Sequence, residues 1–214
     1  MDEESALISA NTRNEKIKNF FINNKKILII SFLALILIVF GFLIFNEINK
    51  NKRIKIADKY NLATINFISG NKENVKKNLI KIINKKDKTY SLLSLYFLID
   101  NKIIKENEEI NDLFNIVINK INLETEIKNL LIYKKALFNS NFATENDLLK
   151  IIKPIINNNS IWKSVALYLM GEYFYRNNQK KKAKEFFNQI LTLKNSNINI
   201  KKAAQKRLNR DLSD

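Results

Sequence analysis

The 214 residues predict an all-α protein in which a single N-terminal transmembrane helix precedes a solenoid of paired helices. Three observations carry that prediction. Residues 27–45 (ILIISFLALILIVFGFLIF) hold no charge, and only Ser31, Ala34 and Gly41 interrupt their apolarity. The whole chain has 3 Gly and 1 Pro, too few for an all-β fold, which needs turn formers roughly every 8–12 residues. Beyond the apolar run, hydrophobic side chains recur at helical spacing in pairs of segments with a roughly constant period.

At about 1.5 Å per residue the apolar run spans roughly 28 Å as a helix, close to the roughly 30 Å hydrocarbon core of a bilayer. An unpaired backbone amide in lipid costs several kcal/mol, so a helix is the form that satisfies such a segment. A secretory signal would have a shorter apolar region and small residues at a cleavage site; here Phe42, Leu43, Ile44, Phe45 and Asn46 stand there instead. A buried core helix seldom stays apolar on every face over this length. The chain therefore divides into a leading segment (1–22), an anchor (23–48) and a repeat domain (49–214). The acidic start and later polar residues of 1–14 read as a flexible tail.

After the anchor, 52–68 carries Ile56, Tyr60, Ala63 and Phe67 on one face and ends at Gly70, a natural C-cap. A second helix, 71–83, places Val75, Leu79, Ile82 and Ile83 on one side. A pair follows over 89–120, broken at Lys105-Glu106-Asn107, and another over 123–157, broken at Asn139-Ser140-Asn141. In that pair Thr144 is an N-cap with Asp147 in the first turn, and Pro154 kinks or stops the helix. Ser160 caps a helix running to 175, residues 179–193 pack back on it, and a last helix covers 198–212.

Pair starts near Lys52, Thr89, Leu123 and Ser160 approach the tetratricopeptide period of 34 residues. The sharpest motif is Leu167-x-x-Met170-Gly171-x-x-Phe174 followed by Ala183-x-x-x-Phe187, which matches the spacing W-x₂-L-G-x₂-Y…A-x₃-F. Gly171 and Ala183 are small where two antiparallel helices approach most closely. Leu167 replaces the Trp, Asn195 stands at the terminal Pro, and Ile99 and Lys134 fall where earlier pairs would need small residues. The prediction is a tetratricopeptide-like solenoid, with an irregular bundle as the alternative.

The formal net charge of +16 does not make a nucleic-acid surface. Lysines are scattered over solvent faces, without the aromatic platform or motif that such binding needs. Arg13, Lys16, Lys18, Lys25 and Lys26 before the anchor, and Lys50, Lys52, Arg53, Lys55 and Lys59 after it, suit anionic headgroups of the lipid bilayer. Because these flanks balance, the positive-inside rule assigns no orientation. With no Cys and no His, disulfides, a lipidated cysteine, the common zinc sites and a Ser-His-Asp triad are excluded. Glu108 and Glu109 are neighbours that point to different sides of a helix. No phosphate loop or nucleophile elbow accompanies them, so no enzymatic activity and no cofactor are expected.

Lys16-x-Lys18-Asn19-Phe20-Phe21 before the anchor, the anchor itself, Thr89-Tyr90 and the stretch from Ile161-Trp162 through Phe187 together carry a resemblance. From about Asn14 to its end the chain resembles the YfgM-like ancillary subunits of the SecYEG translocon, whose repeat domain is shared with a cell-division coordinator. The resemblance implies a bacterial inner-membrane protein with a cytoplasmic N-terminus and a periplasmic repeat domain. It also implies partners: Sec translocon subunits and a membrane-anchored periplasmic chaperone or prolyl isomerase. No small-molecule substrate is expected. A tethered scaffold for envelope biogenesis or division is the second reading.

In a solenoid the first helix of each pair lines the inner surface. With Gly171 at the tight contact, Tyr168, Glu172, Tyr175 and Arg176 project inward, and Tyr168, Glu172 and Tyr175 form one stripe. Tyrosine joins apolar area to a polar tip, which suits peptide binding; the alternative is that these side chains pack on a neighbouring pair.

Overall fold

The structure, a computed structural model, describes Glu15, Lys16 and residues 18–213. The tail expected over 1–14, including Arg13, lies outside the described residues. Among those described there is no strand, and the main elements are helices. They are α1 (Lys25–Ile68), α2 (Lys72–Ile83), α3 (Tyr90–Asp100), α4 (Asn107–Lys120), α5 (Thr125–Asn139), α6 (Glu145–Ile156), α7 (Lys163–Arg176), α8 (Lys180–Thr192) and α9 (Ile198–Asp211). Two compact units divide between Ile56 and Ala57.

In the first unit, α1 is long and apolar enough to cross a membrane once, and none of its most apolar window is buried. Anchor and first repeat helix, expected as separate segments, share one helix. The linking sequence Asn46-Glu47-Ile48-Asn49-Lys50-Asn51-Lys52-Arg53 has neither Gly nor Pro to stop it. Glu47 also accepts from Asn51 one turn later at 3.3 Å. Within the second unit α1 ends where expected: Gly70 has φ +84°, a left-handed cap that glycine adopts without Cβ strain.

The second unit is an array of hairpins. Its regularity is clearest in the second helix of each, α2, α4, α6 and α8. Their first residues, Lys72, Asn107, Glu145 and Lys180, follow one another at 35, 38 and 35 residues. In every one the fourth, eighth and eleventh residues are core: Val75, Leu79 and Ile82; Ile110, Phe114 and Val117; Leu148, Ile152 and Ile155; Ala183, Phe187 and Ile190. None of these twelve is more than 4% exposed. The spacing i, i+4, i+7 puts each trio on one helical stripe, and burying a large apolar side chain stabilises by about 1.5–3 kcal/mol.

Polar ties then link successive hairpins at the repeat interval. Lys76 Nζ meets Glu109 Oε2 at 2.7 Å, 33 residues on. Ser160 Oγ donates to Glu126 Oε2 at 2.9 Å across 34 residues. Lys182 Nζ meets Glu145 Oε1 at 2.7 Å across 37, and Arg207 Nη2 meets Glu172 Oε2 at 2.6 Å across 35. Residues about one repeat apart thus touch from hairpin to hairpin, as stacked repeats require.

Local expectations fare differently. Thr144 caps α6 by accepting from the Asp147 N–H at 3.3 Å, and α6 ends two residues after Pro154. Ser160 is not the N-cap of α7; Trp162 occupies that position without a side-chain cap bond. The Ser160 hydroxyl accepts from the Trp162 N–H at 3.2 Å, just before α7 begins, and also accepts from Asn129 Nδ2 and donates to Glu126, both on the preceding hairpin. Gly171 is the expected contact glycine: a Cβ there would lie 2.6 Å from Phe187 Cε1.

Candidate interaction surface

Tyr168, Glu172, Tyr175 and Arg176 all lie on α7, as their spacing requires. Three of them meet one cation from α9. Glu172 accepts twice from Arg207, from Nε to Oε1 and from Nη2 to Oε2, each at 2.6 Å. Arg207 Nη1 also donates to Asp211 Oδ2 at 2.8 Å, and the guanidinium carbon sits 5.0 Å from the centre of the Tyr175 ring. The Tyr168 ring packs on Phe187 at 5.4 Å.

The electrostatics follow the geometry. Hydrogen bonds to Glu172, then to Asp211, hold the Arg207 pKa above its ordinary value. Bonds from Arg210 and Arg207 hold the Asp211 carboxyl below the usual carboxylate range. Burial, then the Glu172 charge, pushes the Tyr168 hydroxyl up. A bidentate guanidinium–carboxylate pair is geometrically selective and stronger than a neutral hydrogen bond.

Arg176 turns elsewhere. Its Nη1 donates to Asn141 Oδ1 at 2.9 Å and its Nη2 to the Ser140 carbonyl at 3.2 Å. Tyr173 adds a bond from its hydroxyl to the Ala143 carbonyl at 3.2 Å. Together they fasten α7 to the turn between α5 and α6. So Tyr168, Glu172 and Tyr175 form one cluster beneath α9, and Arg176 belongs to a different joint.

The chain matches no family model, no curated protein and no solved structure.

Sequence reasoning missed a concavity among α4, α5 and α6. It has a volume of about 270 Å³ and is lined by Asn115, Ile118, Asn119, Lys128, Ile132, Lys135, Ile151 and Pro154. Lys135 Nζ donates to Asn115 Oδ1 at 2.7 Å. Burial lowers the Lys135 pKa, and Asp112 opposes that shift only in part. Asn115 and Asn119 are one turn apart on α4, and Lys128 and Lys135 two turns apart on α5. Each pair shares a helical face, but lysine and asparagine are too abundant in this chain for either spacing to stand out.

Proposed function

We propose that the chain is a membrane-tethered, non-catalytic protein-interaction module that works beside the Sec translocon and assists the handover of exported polypeptides to periplasmic chaperones. What carries this reading is the union, in one chain, of an exposed lipid-length apolar helix with an array of hairpins in register. The resemblance to YfgM-like translocon subunits supplies the rest: inner-membrane location, a cytoplasmic N-terminus, a periplasmic array, and translocon subunits and a membrane-anchored prolyl isomerase as partners. Tethering raises the concentration of such a module near its partners without new contacts, so modest affinity suffices. On this reading Tyr168, Glu172 and Tyr175 reach a partner when Arg207 is displaced, and Arg176 when it leaves Asn141.

Affinity purification of the full chain in mild detergent tests the proposal. The expected result is co-purification of translocon subunits together with a periplasmic chaperone or prolyl isomerase. Recovery of division or envelope-assembly proteins without translocon subunits would replace it with a tethered scaffold. Release of the intact chain by carbonate extraction would remove the tether altogether.

A further inference from the structure

The concavity among α4, α5 and α6 holds an unusual cation. At two other inter-hairpin joints a half-buried cation meets a carboxylate: Lys76 meets Glu109, and Arg207 meets Glu172. Lys135, also half-buried, has the neutral carboxamide of Asn115 as its hydrogen-bond acceptor. Among the described residues no carboxylate lies within ion-pair distance of Lys135 or of Lys128. Asp112 attracts Lys135 only from beyond ion-pair distance, so a ligand carboxylate can supply the charge partner that the lining does not.

The rest of the lining says which ligand. Ile118 and Ile132 are buried, and with Ile151 and Pro154 they make an apolar floor. Asn115 and Asn119 offer carboxamides that both donate and accept, the pattern that a peptide group satisfies. The volume of about 270 Å³ falls just below the roughly 300 Å³ at which small-molecule pockets begin, and suits one side chain with its carboxylate rather than an acyl chain. We infer that this concavity binds an acidic peptide segment. The carboxylate sits between Lys128 and Lys135, the peptide groups bond Asn115 and Asn119, and a branched apolar side chain covers the isoleucine–proline floor. The net charge of +16 favours encounter with such segments. This inference rests on the interaction-module reading and names the chemistry of its partner.

The test uses the full chain in detergent and a fluorescent decapeptide ending in Glu-Leu with a free C-terminus, read by anisotropy. Lys135→Met should weaken binding about tenfold or more, the effect of losing one charge-assisted bond, and Lys135→Arg should restore most of it. Amidating the peptide C-terminus identifies a chain end as the anion if affinity falls, and replacing its Glu by Gln identifies the side chain if that one falls. Equal affinity for the wild-type peptide and for a peptide with both changes overturns the inference. So does stronger binding of glycerophosphate-headed micelles that compete the peptide off, which would assign the cavity to lipid. Peptide binding lost while translocon subunits still co-purify with wild-type protein defeats the cavity alone. Peptide binding retained without co-purification defeats the translocon reading alone.

Discussion

The two helices of each hairpin are built on different rules. The second helices α2, α4, α6 and α8 bury the same three positions in every repeat. The first helices share one buried position, Ala63, Leu98, Ala136 and Gly171, each twelve residues before the leading core residue of its partner helix, but the chemistry around it changes from hairpin to hairpin. α3 buries Ser91, Ser94, Leu95 and Leu98, α5 buries Asn129, Leu131, Ile132, Ala136 and Asn139, and α7 packs around Gly171. Polar groups on the first helices make individual joints. Ser91 Oγ donates to the Ile82 and Ile83 carbonyls at 3.2 Å, closing the end of α2. Asn139 exchanges two hydrogen bonds with Asn111. Three repeated core positions thus reside in the second helix and one in the first, and the polar groups of the first helix give each joint its particular character.

The widest separation between those rules should appear on truncation. Leu79→Ala, Phe114→Ala, Ile152→Ala and Phe187→Ala each remove a fully buried side chain at the same register position and should each cost about 2–5 kcal/mol. Urea unfolding of the four variants, followed by circular dichroism, checks this. A series in which only Phe187→Ala mattered would confine the code to the last hairpin. Gly171→Leu comes next. Phe187 lies 2.6 Å from the position of a Cβ at 171 and is itself fully buried, so overpacking should cost about 1–3 kcal/mol or more. An unchanged melting temperature would show that α7 and α8 can slide apart freely.

Smaller effects belong to the joints. Glu172→Gln removes the charge beneath Arg207 and should destabilise by about 1 kcal/mol, since a pair still partly open to water is screened. Faster amide exchange confined to α9 would mark its release. The smallest effect is at high pH. Burial, aided by the Asp100 charge, raises the Tyr96 hydroxyl to about 12, so the folded state favours the neutral phenol. Stability from this group is complete below the ordinary tyrosine value near 10 and falls as pH rises from there toward 12. Tyr96→Phe should flatten that part of the stability–pH curve.

Legibility in the sequence follows the same division. The alternation of Val75, Leu79 and Ile82 is readable because a helix repeats every 3.6 residues, and Gly70 and Thr144 mark ends by local chemistry. The earlier hairpins look degenerate when small residues are sought at Ile99 and Lys134, but one or two residues away the buried Leu98 and Ala136, with Ala63 before them, hold the position of Gly171. Apolar volume recurs at three positions of the second helix, and Leu148 serves where Ala183 does. The 38-residue step was hidden because the extra residues sit in α5 and the turn to α6, the turn that Tyr173 and Arg176 then grasp. The partner of Glu172 stands 35 residues away, and local spacing contains no sign of it. Lys128 and Lys135 gain meaning only when α4 and α6 close around them.

The matched trios have a consequence for the gene as well as for the chain. Asn107 and Glu145 begin equivalent helices, so excising 107–144 would join α3 directly to α6 with Leu148, Ile152 and Ile155 standing where Ile110, Phe114 and Val117 stood. Lengthening by in-frame duplication follows the same arithmetic. A protein assembled this way can change its reach in whole-module steps while its two ends stay as they are.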